Sequence, residues 1–377
     1  MQGHIRKRGK AKDSWTVVVD MGYDPVTGKR RQVWRSVRGT KREAQELLVN
    51  LLHQRQTGVD APTGRLTVAE FLERWLRDYA QPNTAPKTFR RYSEIVHIHL
   101  VPLLGDIPLS KLRPLHVQRA YAEVARKGLS AQTALHCHRV LREALKHAVR
   151  WQLLSRNPAD AVEPPKVNRR EITAPTLEEL RTLTAAADIT AYGVLVHVAL
   201  LTGLRLGELL GLRWQDVDLE RRVLHVRQSC QWLSGHGYTF RQPKTYRSVR
   251  PVSLSPLTVE RLKRHHASQL EERLGAGPAY QNLDLVFATP IGRPIYPGTL
   301  RANWLRILRE ASLRHLRFHD LRHAHASLML QNGEHPKVVS ERLGHSTVAI
   351  TMDLYSHVMP GIQDEAAARL DALLANG

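Results

Sequence analysis

The amino-acid sequence predicts a multidomain α+β protein: a small sheet-plus-helix module, an all-helical domain, and a larger, mainly helical domain containing a small β-sheet. Three observations predict this fold class. The length of 377 residues suggests two or three domains of roughly 100 to 200 residues each. Strand patterns are confined to the N-terminus and a short central region, whereas helical periodicity covers most of the remaining chain. Linker-like stretches at residues 56–65 and 163–174 separate these regions.

The first module is predicted over residues 1–56 as a small three-stranded antiparallel sheet backed by one helix. Residues 14–21 and 31–37 have strand character, and a capping box at 40–43 begins an amphipathic helix. The first 42 residues hold 12 Lys and Arg against three Asp. The face of the sheet that the helix leaves uncovered could enter a DNA groove, or it could be a solvated basic ribbon without a partner.

The second module is predicted over residues 66–157 and is all-helical. A capping box at 67–70 begins a helix with an apolar stripe, and that pattern is typical of a helix packed on a core. Three further helices are expected at 88–99, 113–126 and 130–153.

The third module is predicted over residues 174–377. A third capping box, at 176–179, begins it with helices. A short β region at 223–252 interrupts the helices, which resume from Leu257.

Charge and composition favour a nucleic acid as partner. Lys and Arg number 56 against 35 Asp and Glu, which gives a formal net charge of +21, and 42% hydrophobic residues suffice for the cores. Clustered basic side chains gain binding free energy by releasing counterions from nucleic acid, although a merely basic surface would show the same composition. Two cysteines, Cys137 and Cys230, are too few for a disulfide framework or a four-cysteine zinc module, and they indicate a reducing compartment.

The sequence predicts neither secretion nor membrane insertion. No apolar stretch follows the basic N-terminus, so it does not resemble a secretory signal. The longest apolar run, residues 192–204, is shorter than the roughly 20 residues that a membrane-spanning helix needs. We therefore expect a cytoplasmic protein with no membrane partner.

Two clusters in the third module carry basic groups. Arg205 directly follows a strongly apolar helix, so its guanidinium is either paired with Glu208 or directed into a site. Lys244 lies in a basic hairpin-like segment at 242–250, and such a segment is more often a surface than a catalytic element.

Two further clusters carry histidines, a second arginine and a tyrosine. His319 and Arg322 are three residues apart on a predicted helix, so their side chains share one face. His345 follows Leu343-Gly344, and Tyr355 comes ten residues later.

A metal site is the alternative for the histidines. His319 and His323 have the i, i+4 spacing of a zinc-protease helix, but that helix needs a glutamate where this chain has Asp320. The candidates for a third ligand are His315, His325 and His345. Because a zinc site would leave the arginines, the lysine and the net charge unexplained, we expect no metal and no other cofactor.

Together the clusters suit in-line attack on a phosphodiester. The planar donor forks of Arg205 and Arg322 could stabilise charge on the two non-bridging oxygens without a metal. Tyr355 could attack if neighbouring positive charge and a histidine acceptor favour its phenolate. Lys244 could give a proton to the leaving sugar oxygen.

On these motifs the chain resembles the tyrosine recombinase (phage integrase) family. The motifs at 202–208, 319–323 and 343–345, with Lys244 and Tyr355, match in order and spacing. The resemblance implies an enzyme that cuts and rejoins DNA through a 3′-phosphotyrosyl bond to Tyr355, with neither metal nor ATP. It also implies that five side chains assist the tyrosine: Arg205, Lys244, His319, Arg322 and His345.

The resemblance extends to the other modules and to partners. It implies a core-binding domain at 66–157 and an arm-binding domain at 1–56, which favours the integrase of a phage or other mobile element over a simple resolvase. The implied partners are double-stranded core and arm attachment sites, an excisionase, a host DNA-bending protein and three further copies in a homotetramer on the nucleoid. A non-enzymatic DNA-binding regulator with the same architecture is the alternative.

In such a tetramer the C-terminal segment, residues 357–377, would dock on the neighbouring protomer, or it would pack on its own domain. Its apolar stripe consists of Ala366, Ala367, Leu370, Leu373 and Leu374.

Overall fold

The computed structural model describes residues 3–7, 14–23, 30–56, 66–167, 175–233, 235, 237–242, 249–355, 367, 371 and 374. The chain divides into two compact units, Met1–Arg169 and Arg170–Gly377. Among the described residues, no helix has the length and apolar character needed to cross a membrane.

The described N-terminal residues form a three-stranded antiparallel sheet with one helix on it, as predicted. The elements are β1 (Gly3–Lys7), β2 (Ser14–Tyr23), β3 (Arg30–Arg38) and α1 (Lys41–Gln56), and β2 is the central strand.

The sheet and its helix share a small apolar core. Val17 and Val19 lie two apart on β2, so they point to the same face, where they pack with Ala44 of α1. The predicted capping box is present: the Thr40 N–H donates to the Glu43 carboxylate (2.9 Å), and the Glu43 N–H donates to Thr40 Oγ1 (3.3 Å).

The rest of the first unit is helical. Its elements are α2 (Val68–Trp75) with a π-helical turn (Leu76–Ala80), α3 (Gln81–Asn83), α4 (Pro86–Ile95) with a second π-helical turn (Val96–Leu100), α5 (Val101–Leu104), a 3₁₀ turn (Leu109–Lys111), α6 (Pro114–Arg126), α7 (Ala131–Arg150) and a 3₁₀ turn (Pro158–Ala161). The apolar stripe predicted for α2 is buried, with Phe71 and Trp75 fully inside the core. Ala159 and Val162 belong to the same core, so the packed helical region continues beyond Asn157.

The second unit holds helices on either side of a β region. Its elements are α8 (Leu177–Asp188), α9 (Gly193–Thr202), α10 (Leu206–Leu210), a 3₁₀ turn (Trp214–Asp216), β4 (Val217–Asp218), β5 (Val223–Val226), β6 (Ser229–Leu233), β7 (Gly237–Arg241), β8 (Arg250–Ser253), α11 (Pro256–Ala276), a 3₁₀ turn (Gly277–Ala279), α12 (Pro297–Glu310), α13 (Asp320–Gln331), α14 (Pro336–Leu343) and α15 (Val348–Tyr355).

In the described structure the β region comprises two small sheets. One has the order β4-β5-β8, and the other is the β6-β7 hairpin. Because β8 pairs with β5 across that hairpin, Arg250 returns to lie opposite Val226. The chain after the basic segment is thereby fixed to the core of the unit.

The C-terminal segment is described only at three positions. Ala367, Asp371 and Leu374 are helical, and the Leu374 side chain is exposed. The docking role predicted for this segment therefore falls mainly outside the described residues, and it stays a prediction.

Candidate active site

Arg205 leaves the apolar helix α9 through a sharp turn. Gly203 ends α9 in the left-handed conformation (φ 65°), and a Cβ there would lie 2.6 Å from the side chains of both His325 and Leu343. Only glycine therefore fits this position. After the turn, Arg205 is the residue that precedes α10, and its side chain is 40% exposed.

Arg205 is paired with Glu208 and is also partly accessible. Its Nη1 donates to Glu208 Oε1 (2.8 Å) and its backbone N–H donates to Glu208 Oε2 (3.0 Å), while part of the guanidinium stays accessible. Glu208 also accepts from Arg250 Nη2 (2.9 Å). Burial would raise the pKa of Glu208, but the guanidiniums of Arg250 and Arg205 outweigh it and hold the pKa below its ordinary value.

Arg322 is the third residue of α13, and its side chain is buried. Nη1 donates to Gly203 O and Nη2 donates to Leu343 O, both at 2.7 Å. Burial, with the nearby charge of Arg205, lowers the pKa of Arg322 to about 9, so the group is still cationic at neutral pH.

Three arginines converge on the last turn of α14. The carbonyls of three consecutive residues each accept from a different guanidinium: Arg342 O from Arg250 Nε (2.7 Å), Leu343 O from Arg322 Nη2 (2.7 Å) and Gly344 O from Arg205 Nη2 (3.1 Å). We call residues 342–344 the acceptor turn. The last carbonyls of a helix lack partners within the helix and carry partial negative charge, so this turn can hold three like-charged groups close together.

The Tyr355 side chain is only 2% exposed, and its hydroxyl shares a 2.6 Å hydrogen bond with His323 Nδ1. Burial raises the pKa of Tyr355 to about 12, while the charge of Arg322 opposes that rise. Burial also lowers the pKa of His323 to about 4, so its ring is neutral and can accept a proton.

The other two histidines of the site are His319, at the start of α13, and His345, just beyond the end of α14. His319 immediately precedes α13, and its ring meets that of His323 edge-on at 5.1 Å between centroids. Partial desolvation and the charge of Arg322 lower the pKa of His319. His345 follows the acceptor turn, its Nδ1 shares a 2.8 Å hydrogen bond with Thr351 Oγ1, and burial lowers its pKa to about 4.

One cavity of about 360 Å³ brings these groups together. It is lined by five of the six predicted site residues, Arg205, His319, Arg322, His345 and Tyr355, and by His323. The sixth, Lys244, lies outside the described residues.

The histidines are not arranged as a metal centre in the described part of the chain, where no three His, Cys, Asp or Glu side chains are placed to hold an ion. His325, a candidate third ligand, instead accepts from Arg342 Nε through its Nε2 (3.1 Å). That bond occupies one of the two ring nitrogens through which His325 could bind a metal.

Two residues that contact the site residues are not predicted to do so by the sequence. The sequence indicates His323 only as a metal candidate and Arg250 only as part of a basic segment. The hydrogen bond between His323 and Tyr355 joins residues 32 apart, and that from Arg250 to Arg342 joins residues 92 apart. Neither contact has a local pattern in the sequence.

Comparison with known families gives three matches along the chain. Residues 174–361 match the model described as phage integrase family, residues 67–124 match the phage integrase N-terminal SAM-like domain, and residues 4–54 match an arm DNA-binding domain.

Two curated relatives match over nearly their whole length. The "tyrosine recombinase XerC-like" protein of Caldanaerobacter subterraneus subsp. tengcongensis is 30% identical, over 96% of this chain and 97% of its own. The "ICEBs1 integrase" of Bacillus subtilis is 28% identical, with the same two coverages.

Solved structures show the same fold. The Tn1549 transposon integrase, in complex with a circular intermediate DNA, superposes with a TM-score of 0.70 at 21% identity, over 82% of this chain and 100% of that one. A lambda integrase tetramer bound to a Holliday junction superposes with a TM-score of 0.59 at 20% identity, over 93% of this chain and 96% of that one.

Proposed function

The chain belongs to the phage integrase family of tyrosine recombinases, enzymes that cut and rejoin DNA at specific sites, and from this premise we propose how its residues divide the reaction. The observation that carries the proposal is the single cavity lined by Tyr355, two arginines and three histidines. Five of the six predicted site residues line this cavity, and we propose that all six take part in one reaction: Arg205, Lys244, His319, Arg322, His345 and Tyr355.

Tyr355 is the nucleophile. Its hydroxyl oxygen attacks the scissile phosphorus, a 3′-phosphotyrosyl bond forms, and the bond to the 5′ oxygen breaks. At rest the proton belongs to Tyr355, because the pKa of the phenol is about 12 and that of His323 about 4. As the new bond forms, the phenolic oxygen loses its basicity, and His323 Nδ1, at 2.6 Å, is positioned to take the proton.

Arg205 and Arg322 stabilise the transition state. Negative charge grows on the two non-bridging oxygens, and guanidinium forks fixed in advance stabilise such charge without reorganising. Each already donates to a carbonyl of the acceptor turn, so both are held on the same rigid element. The neutral rings of His319 and His345 add hydrogen-bonding groups at the edge of the cavity.

Lys244 protonates the leaving 5′ oxygen. The support is its position in the matched motif set, because the residue itself lies outside the described structure. The 5′-hydroxyl then attacks the phosphotyrosine of the partner duplex and returns its proton to Lys244. The P–O bond to Tyr355 breaks, and the tyrosine regains its proton from His323. The phosphotyrosyl bond conserves the energy of the phosphodiester, so the cycle needs neither ATP nor metal.

The partners follow from the three modules. Residues 66–157 bind the core of a double-stranded attachment site, and residues 1–56 bind an arm site. Four protomers assemble on two duplexes, with an excisionase and a host DNA-bending protein setting direction and geometry. The arm DNA-binding match at 4–54 supports the arm-site role, and the likeness to a tetrameric lambda integrase complex supports the assembly of four protomers.

The test is covalent capture on DNA. The full-length protein is incubated, in excess chelator, with a pool of duplexes whose randomised core carries a nick, so that a short 5′-hydroxyl fragment diffuses away after cleavage. We expect denaturation-resistant protein–DNA adducts, whose sequencing gives the preferred core. Tyr355→Phe should abolish the adduct and leave DNA affinity nearly unchanged, because one hydroxyl is lost among many phosphate contacts.

Tyr296→Phe, at an exposed tyrosine of the same unit, is the matched control and should keep the adduct. Adduct formation by Tyr355→Phe would refute the nucleophile. Activity lost in chelator and restored by Zn²⁺ or Mg²⁺ would revive the metal alternative. DNA binding without any adduct would favour the non-enzymatic regulator.

A further inference from the structure

We infer that Arg250 is a positioning residue for strand cleavage, which acts by keeping Arg205 available to the scissile phosphate. The inference rests on the proposed function of the cavity. Arg250 is the first residue of β8, and its side chain is 5% exposed. Among the described residues, it is not one of those that line the cavity, so it acts on DNA only through another group.

The contacts of Arg250 join two elements of the site, the acceptor turn and α10. Nε donates to Arg342 O in the acceptor turn (2.7 Å), and Nη2 donates to Glu208 Oε2 in α10 (2.9 Å). Nη1 lies 3.4 Å from Glu208 Oε1. Glu208 in turn holds Arg205, and Gly344 of the acceptor turn accepts from Arg205 Nη2.

The charge balance explains why Arg205 needs this third arginine. Glu208 is 6% exposed, and its Oε1 already accepts from Arg205 Nη1. Carboxylates prefer to bind arginine through both oxygens, so a buried Glu208 without Arg250 would draw the fork of Arg205 into a two-bond pair. Arg250 shares Oε2 with the backbone N–H of Arg205 and supplies the compensating charge, and the Arg205 side chain still lines the cavity.

The expected consequence is a specific loss of charge stabilisation in the transition state. Removing Arg250 should weaken what Arg205 does for the non-bridging oxygens. A substrate with a methyl group in place of one non-bridging oxygen carries one negative charge less, so it depends less on Arg205. The ratio of adduct-formation rates on the phosphodiester and on this methylphosphonate therefore reports the action of Arg205.

The experiment measures this ratio in the full-length protein for wild type, Arg205→Met, Arg250→Met and Arg250→Lys. We expect Arg250→Met to lower the ratio between about 10- and 100-fold, in the direction of Arg205→Met, as a misplaced catalytic group does. Arg250→Lys keeps the charge but lacks the fork, and its ratio should lie between those of Arg250→Met and wild type. Because both rates come from one preparation, any unfolded fraction cancels, and Arg250→Lys decides the matter if Arg250→Met does not fold.

Arg261→Met is the matched control. Arg261 forms an ion pair with Asp188 in the same unit, and among the described residues it is not one of those that line the cavity. Its loss should leave the ratio unchanged. The double variant Arg205→Met/Arg250→Met should have the ratio of Arg205→Met alone, since a residue that acts through Arg205 adds nothing once Arg205 is gone.

An unchanged ratio in both Arg250 variants, or additive effects in the double variant, would overturn the inference. Rescue of Arg250→Met by a substrate with sulfur as the leaving atom would also overturn it, by showing that Arg250 acts through Lys244. Absence of adduct with the wild-type protein would instead refute the proposed function.

Discussion

At the scale of single residues, the proposed role of Lys244 as proton donor can be tested directly. Lys244→Ala should slow cleavage by roughly 10²- to 10⁴-fold, the usual contribution of a positioned proton donor. A substrate whose leaving oxygen is replaced by sulfur needs no proton, so it should restore the rate of the variant. The measurement is the rate of adduct formation on both substrates.

Lys263 provides the control for Lys244. It lies on α11, and among the described residues it is not one of those that line the cavity, so Lys263→Ala should cleave both substrates like the wild type. If sulfur gives Lys244→Ala no advantage, Lys244 contacts a phosphate and another group supplies the proton.

The sequence predicted which residues meet in the cavity better than it predicted how they are held there. Five of the six predicted residues line the cavity. They could be predicted from the sequence because their motifs combine residue types that suit one reaction. It did not predict that three arginines share the acceptor turn, because those hydrogen bonds depend on long-range packing. The sequence suggested that Arg205 is either paired with Glu208 or directed into a site, whereas in the structure it is paired with Glu208 and also lines the cavity.

At the scale of elements, the acceptor turn requires glycine at position 344 for two reasons. Gly344 is left-handed (φ 67°), and a Cβ there would lie 2.8 Å from Arg250 Nη1. Gly344→Ala should lower the free energy of unfolding by about 1–2 kcal/mol from the backbone conformation alone. It should also displace Arg250 and slow adduct formation. Thermal unfolding and adduct rates measure the two effects.

Gly333→Ala separates these two effects. Gly333 is also left-handed (φ 82°), but an added Cβ has no atom within 4 Å among the described residues. Gly333→Ala should lower the free energy of unfolding by a similar amount and leave the rate of adduct formation unchanged. Equal rates for the two variants would show that the acceptor turn tolerates movement of Arg250.

Elements were predictable where their signals are local. The three predicted capping boxes, at 40–43, 67–70 and 176–179, are all formed. The π-helical turns after α2 and α4 were not predicted, because such turns depend on tertiary packing rather than on periodicity. The division of the β region into two sheets was missed for a related reason: β5 pairs with β8 across the 23 residues that lie between Val226 and Arg250.

At the scale of the whole molecule, the N-terminal module should be separable from catalysis. A chain that starts at Leu66 keeps the helical core and all six proposed catalytic residues, so it should still form the adduct on a short core site. It should fail to integrate, because bridging an arm site to the core needs both binding modules on one chain. Its DNA binding should also depend less steeply on salt, since the first 42 residues carry 12 Lys and Arg.

The comparison for that prediction is recombination by full-length and truncated chains, on attachment DNA with and without flanking sequence. A thermal melt confirms that the shortened chain is folded. Equal integration by both chains would mean that residues 1–56 do not bind arm sites, and a resolvase-like organisation would then be preferred.

The burial of the Tyr355 side chain has a consequence for DNA that the protein contacts outside its target site. A chain with a net charge of +21 adheres to DNA of any sequence, so it passes an immense number of phosphodiesters before it reaches its target. Burial raises the pKa of Tyr355 to about 12, so the phenol is protonated at pH 7. Its side chain is also 2% exposed, which keeps it from the backbones that slide past. We therefore expect that the protein leaves non-specifically bound DNA uncut.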